Sequence, residues 1–328
     1  MATRYGQALR LTSTRDLSRE AWLAIRQQGI GSSDAAAAVG LSPYKSALGL
    51  WLEKTGRKAP EALADYGPVL WGTRLEPVLA TVYAEQTGRQ VRRVNAVLQH
   101  PTHRFMLANL DREVRCPEQG SGLLEIKTAS YHSAPQWEDG VPVAYHCQVL
   151  HQLAVTGHDW ADVAVLIGGQ DFRIYRLTRD DDKITDLIER EAGFWQAVTS
   201  DTPPAADGSD DAGQALQWLF PHDSGQTLDL SDSLDANQLF STLLAIRQQQ
   251  DSLSQYESQT RQHLQTLLGD ATAAILADGR ISWRKSKDRE QTDVERLAHD
   301  HPELVQHYRK TIAGSRRFLV HTHRRDAA

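Results

Sequence analysis

Asp111 and, fourteen positions on, the triplet Glu125-Ile126-Lys127 constrain this chain more than any other feature. Asp111 stands in the run RFMLANLDREV and the triplet in SGLLEIKTAS. Both runs read as short apolar strands. Side chains alternate along a strand, so Glu125 and Lys127 share one face. Two carboxylates on neighbouring strands can share a hard divalent cation such as Mg²⁺, which takes oxygen ligands. A lysine two residues after the glutamate then points at the same place, where its ammonium can hold a water, lower its pKa or screen a phosphate. Metal, carboxylates and ammonium together are the apparatus for hydrolysing a phosphodiester. The spacing alone also fits two strands whose polar residues line a solvent face, so further segments have to decide.

Four do. The run AWLAIRQQGIGSSDAAAAVGLSPYKSALGLWLEKTG, residues 21–56, predicts a helix ending at Gly29, a tight turn, and a second helix opening at Ser32, Ser33 and Asp34. Backbone N–H groups, serine hydroxyls and Arg26 converging on a helix start suit a phosphate. An ordinary N-cap by Ser33 or Asp34 fits the same residues. In LWGTRLEPVLATVYAEQTGRQV, Leu75, Val78, Leu79, Val82 and Tyr83 follow a helical period and Gly88 is the stop. Glu76 lies near the start of that stripe, and Pro77 predicts a boundary or kink beside it. AYHCQVLHQLAVTG predicts a helix with Val149, Leu153 and Val155 in its core and Gln148 within reach of the acids. ADVAVLIGGQDFRIYRLT predicts a hairpin turning at Gly168-Gly169.

The D…ExK pattern resembles the PD-(D/E)xK nuclease signature. In this order the segments, from about Trp22 to Tyr175, resemble the YqaJ-type viral recombinase family, relatives of the phage lambda exonuclease. The phrases GIGSSDAAAAVGLSPYKSALGLWLEKTG, WGTRLEP, GLLEIKTA and YHCQVLHQLAVTG carry the resemblance. It implies an α/β (α+β) fold with a restriction-endonuclease-like core, a central mixed sheet flanked by helices. It also implies a role for each matching residue. Asp111 and Glu125 bind metal with the Ile126 backbone carbonyl, and Glu76 completes the site, indirectly or at a second ion. Lys127 positions or activates the attacking water, and Gln148 orients groups around it. Arg26 and Ser33, with Ser32 as a nearby second choice, hold a 5′-terminal phosphate. The chain has Asn109-Leu110-Asp111 where the signature's name has a proline; that proline supplies no ligand. The implied activity is Mg²⁺-dependent (Mn²⁺ substituting) 5′→3′ digestion of one strand of linear duplex DNA. The resulting 3′ tail passes to a single-strand annealing protein. Relatives form rings, commonly trimers. An endonuclease and a non-catalytic DNA-end-binding scaffold are the alternatives.

Charge distribution divides the chain. Its net charge is −6, yet residues 201–279 hold two basic against twelve acidic side chains, and residues 280–328 hold twelve basic against seven acidic. The expected organisation is therefore a nuclease core over 1–199, an acidic Pro/Gly linker over 200–214, and an extension over 215–328. That extension should contain a long helix closing at Gly269 and a hairpin turning at Asp278-Gly279, whose second strand carries Arg284, Lys285 and Lys287. Trp283 beside those cations suits stacking on a base, although a strand tryptophan is more often core. Arg316, Arg317, Arg324 and Arg325 make the tail basic. Two cysteines, Cys116 and Cys147, exclude a four-cysteine iron–sulphur cluster. His321 and His323, with no cysteine near them, read as surface. No apolar run reaches transmembrane length, and the opening MATRYGQALRLTSTRD lacks a signal-peptide core, so an intracellular protein is expected. The family resemblance implies the cytoplasm of a bacterial host cell and a phage or prophage origin.

Overall fold

The computed structural model describes residues 4–60, 67–312 and 314–322; His323, Arg324 and Arg325 lie outside the described residues. Two compact units divide between Pro221 and His222. The first opens with β1 (Arg4–Gln7), β2 (Leu9–Ser13), α1 (Arg19–Arg26) and β3 (Ile30–Gly31), then a 3₁₀ turn over Ser32–Asp34. Next come α2 (Ala35–Ala38), α3 (Ala47–Lys54), α4 (Gly67–Thr87), β4 (Gln90–Arg93), β5 (Ala96–Gln99), β6 (Met106–Ala108), β7 (Arg112–Cys116) and β8 (Gly120–Ala129). A second 3₁₀ turn (Tyr131–Trp137) leads to α5 (Val143–Thr156), β9 (Trp160–Ile167), β10 (Asp171–Thr178), α6 (Asp181–Thr199) and α7 (Asp210–Leu219).

The larger sheet runs β10-β9-β8-β7-β4, with β8 parallel to β9 and every other pair antiparallel. Both faces are covered, which is why β9 reads as a continuous apolar run rather than an alternating one. Leu124 and Ile126 of β8 pack with Leu79, Ala80 and Tyr83 of α4. Leu123, one position out of phase, packs in the cluster that contains Val149, Leu150 and Leu153 of α5. The alternation therefore sends Glu125 and Lys127 toward α5. The second sheet, β2-β5-β6-β3, contributes Ala96, Leu98, Met106 and Ala108 to the same cluster, so α5 is enclosed from both sides. Such a helix carries apolar residues all round. Its buried polar residues are each bonded: the His151 ring nitrogens meet Glu191 Oε1 at 2.8 Å and the Leu107 carbonyl at 3.0 Å, and Thr156 Oγ1 donates to the Gln152 carbonyl. The expected central mixed sheet flanked by helices is what the chain forms.

Several local expectations change. The helix α1 stops at Arg26 rather than Gly29, because Ile30-Gly31 pairs as a short parallel strand with Met106-Leu107. The run RFMLANLDREV is two strands in two sheets, with Asp111 in the joint between them. Pro77 sits inside α4 without ending it; its missing N–H removes one helical bond, and the covering of Leu79, Ala80 and Tyr83 by the sheet holds the helix together. The hairpin β9–β10 turns at Gly168 and Gly169 as expected, both with positive φ (60° and 77°) that glycine adopts freely.

The expected linker at 200–214 ends inside α7. That helix docks on α3: Asp211 Oδ2 accepts from Ser46 N and Ser46 Oγ at 2.8 and 2.6 Å, and Trp218 Nε1 donates to the Arg57 carbonyl. Gly49 is required at this contact, since a Cβ there would lie 2.2 Å from Asp211 Oδ2. The second unit holds the long α8 (Leu234–Leu268), the hairpin β11 (Ala273–Leu276) and β12 (Gly279–Ser282), and α9 (Val294–Asp300) and α10 (Pro302–His307). Leu276 pairs with Gly279, so the turn is Ala277-Asp278, one residue before the expected one. Strand β12 stops at Ser282, so Arg284, Lys285 and Lys287 follow it in irregular chain rather than on it. Trp283 is 51% exposed and not core. Among the described residues no helix is long and apolar enough to cross a membrane.

Candidate active site

Arg112 pairs with Leu124 across the β7–β8 ladder, which sets Asp111 opposite Glu125 at the end of β7. Asp111 Oδ2 accepts from the Ile126 N–H at 2.8 Å. Glu125 is buried at 3% exposure, and three donors surround it. Lys127 Nζ and Gln148 Nε2 each reach Glu125 Oε1 at 2.6 Å, and Gln152 Nε2 reaches Oε2 at 2.7 Å. Gln148 closes the ring, its Oε1 accepting from Lys127 Nζ at 3.0 Å. The Lys127 ammonium also lies 4.9 Å from the Tyr145 ring centroid, within cation–π range.

The electrostatics follow from two carboxylates in a space poor in water. Burial and the neighbouring Glu125 push the Asp111 carboxyl up to about 8. Burial opposes the Lys127 ammonium, but Glu125 and Asp111 outweigh it and raise its pKa. Once Asp111 gives up its proton, one lysine stands between two acids and negative charge is in excess. A divalent cation bound by hard oxygen donors would offset that excess, so the donor set fits Mg²⁺. Among the described residues no three His, Cys, Asp or Glu side chains group closely enough to hold an ion. The third expected acid shows why: Glu76 arrives from α4, against the opposite face of the sheet, and its Oε1 accepts from Arg112 Nη1 at 2.5 Å. Arg112 Nη1 also donates to the Asp111 carbonyl at 2.6 Å, linking Glu76 to the strand end.

Arg26, Ser33 and Asp34 form a second group. Arg26 Nη2 donates to Ser33 Oγ at 3.0 Å and Asp34 Oδ1 at 2.6 Å; Lys54 Nζ donates to Asp34 Oδ2 at 2.8 Å. Although burial opposes ionisation, Arg26 and Lys54 hold the Asp34 carboxyl well below the usual carboxylate range. The Asp34 side chain thus caps no helix. It fixes two cations, and the group keeps one net positive charge. Ser33 is exposed, whereas Ser32 is 5% exposed and turned inward. The parallel pairing of β3 with β6 brings Ser32–Asp34 and Asn109–Asp111, the segments after each strand, to the same sheet end.

Arg112, Gln152, Lys54 and Tyr145 escaped the sequence reading. For Gln152 a signal existed: it follows Gln148 by four residues, one helical turn on the same face.

The fold and site define a mixed α/β protein with a buried acid–lysine–glutamine cluster at a strand end. Residues 21–159 match the model of the YqaJ-like viral recombinase domain. The chain is 30% identical over 305 residues to the uncharacterized protein YqaJ of Bacillus subtilis (strain 168), covering 92% of this chain and 93% of that relative. It belongs to the YqaJ-like viral recombinase family. Among solved structures it is similar to an alkaline exonuclease from Laribacter hongkongensis, at 23% identity and TM-score 0.47, covering 56% of this chain and 94% of that one. It is also similar to a phage related exonuclease from Haemophilus somnus 129PT, at 12% identity and TM-score 0.39, covering 55% and 99%.

Proposed function

We propose that this chain is a metal-dependent exonuclease that digests one strand of linear duplex DNA from its 5′ end and leaves a 3′ single-stranded tail. The observation that carries the reading is the convergence of Asp111, Glu125, Lys127 and Gln148 on one strand end. Asp111 and Glu125, with the Ile126 carbonyl and Glu76, would hold Mg²⁺ or Mn²⁺, which polarises a phosphodiester and lowers the pKa of a water. For Glu76 to serve, it must exchange Arg112 for that role. Lys127 has three N–H donors, and Glu125 and Gln148 take two, which leaves one for a water or phosphate oxygen. Gln148 and Gln152 hold the Glu125 carboxylate in one orientation. Arg26 and Ser33 take the 5′-terminal phosphate, and Trp283, Arg284, Lys285 and Lys287 contact DNA from the second unit. On the family resemblance, the tail passes to a single-strand annealing protein, and the chain works as a homotrimeric ring in the bacterial cytoplasm.

Linear duplex labelled at the 5′ or the 3′ end, with a closed circular control, tests the activity. Early release of the 5′ label with Mg²⁺, none with EDTA, and an intact circle are expected. Cutting of the circle would make the protein an endonuclease; binding without release would make it a scaffold.

Arg26 gives a separate prediction. Wild-type protein should digest a 5′-phosphorylated end faster than a 5′-hydroxyl end. Arg26→Ala should lower kcat/KM on the phosphorylated end roughly 10- to 100-fold, the worth of a charge-assisted hydrogen bond. Lys54 remains to neutralise Asp34, so the fold should survive. An unchanged preference for the phosphorylated end in Arg26→Ala would move the phosphate elsewhere.

A further inference from the structure

A cleft of about 490 Å³ is lined by Asp111 and Glu76 of the active site and continues past them along residues that have had no role so far. Three segments at strand ends build it with Glu76 of α4: Thr14 and Arg15 after β2, Arg93 at the end of β4 with Val94 and Asn95 after it, and Asn109–Asp111 between β6 and β7. They are pinned to one another, since the Thr14 N–H donates to the Asn95 carbonyl at 3.2 Å and Asn109 Nδ2 to the Ala96 carbonyl at 3.3 Å.

Its charges are ordered. The acids Glu76 and Asp111 stand together, while Arg15 is exposed and the Arg93 side chain is 65% exposed, 4.0 Å from Glu76. A polyanion cannot approach two carboxylates unless cations hold it on the way in, and these two arginines stand where that is needed. No aromatic side chain is among the lining residues, so the cleft offers no stacking surface for a base. Its cations and amides suit phosphate and sugar oxygens, contacts that position a strand without reading its sequence. Neither Arg26 nor Ser33 lines it, so the cleft is separate from the terminal-phosphate group.

We propose that the Arg15–Arg93 cleft binds the sugar–phosphate backbone of the strand being digested, on the 3′ side of the scissile phosphate. The inference rests on the nuclease reading. A terminal phosphate on Arg26 and Ser33, and the next phosphate at Asp111 and Lys127, leave the remaining strand to run out past Asp111 through this cleft.

Fluorescence anisotropy on a short 5′-phosphorylated duplex in EDTA, over a range of salt concentrations, provides the test. The Arg15→Ala/Arg93→Ala double variant should bind about tenfold more weakly, and its log–log salt slope should flatten by between about one and two, one per lost phosphate contact. The Arg15→Lys/Arg93→Lys variant should keep most of the affinity and slope. Arg15→Ala alone, flattening the slope by about one, guards against a disturbance of Glu76 by loss of Arg93. Thermal melting checks that each variant is folded. Unchanged affinity and slope in the folded double variant, with wild-type protein still digesting 5′ ends, would overturn the cleft assignment alone. Wild-type protein that neither binds nor digests DNA would overturn both readings.

Discussion

Asp111→Asn should abolish DNA hydrolysis and, in the same protein, raise the stability of the metal-free fold. The loss of activity should reach at least about 10³-fold, because a carboxylate that binds metal beside the scissile phosphate acts on charge formed in the transition state. The gain in stability has a different origin. Burial and Glu125 raise the Asp111 carboxyl from 3.8 to about 8, so the folded chain holds that proton more tightly than the unfolded chain. Between about pH 4 and pH 8 the unfolded chain releases the proton first. Wild-type stability should therefore fall as pH rises through this window. Asparagine does not ionise, and its side-chain oxygen can still accept from Ile126, so the variant escapes the penalty. The difference at pH 8 should be about 1–3 kcal/mol, discounted from the full shift because the buried Asp111 lies beside both a second acid and the Lys127 ammonium. Melting curves in EDTA at several pH values check it, with the two proteins converging near pH 4. Added Mg²⁺ should raise the wild-type melting temperature and leave the variant little changed. A variant that melts below wild type at pH 8 would place Asp111 in a structural role.

These two acids show which parts of the site could be read from the chain. Glu125 and Lys127 are two apart on a strand, so period two alone puts them on one face, and the packing of Leu123 and Leu124 on opposite sides bears that out. Gln148 was legible by resemblance, and Gln152 by helical spacing from it. Arg112 was not. It follows Asp111 directly, and its partner Glu76 is thirty-six residues away on a helix against the other face of the sheet. Lys54 was hidden for the same reason, twenty residues from Asp34 and joined to it only by the tertiary fold. Asp34 read as an ordinary N-cap because its place at a helix start is local information and the two cations its side chain holds are not. Of the boundary or kink expected at Pro77, the boundary is absent for the same reason: a local cost was visible, and the packing that offsets it was not. Where a strand stops, as at Ser282 before the basic run, depends on its pairing partner, which single-residue preferences do not encode.

Lys127→Ala should lose turnover by roughly 10²- to 10⁴-fold while metal binding persists, a range set by the worth of a positioned proton donor or charge in the transition state. Two roles for this lysine make opposite predictions. If it only neutralises buried Glu125, its removal leaves an acid without its cation, so stability and metal affinity should change along with turnover. If it acts on the water or the phosphate, the metal should remain, because an ammonium is not a ligand. The second role fits the geometry better. Gln148 and Gln152 still donate to both Glu125 oxygens after the change, so the carboxylate stays oriented. Loss of a positive charge between Asp111 and Glu125 should, if anything, tighten binding of a divalent cation. Titration calorimetry with Mg²⁺ or Mn²⁺, run beside turnover on 5′-labelled duplex, separates the two. Equal losses of metal affinity and turnover would contradict the role assigned to Lys127 and leave the Asp111–Glu125 pair without its reacting partner. Retained or tighter metal binding with turnover gone would place the ammonium at the reacting atoms rather than at the metal.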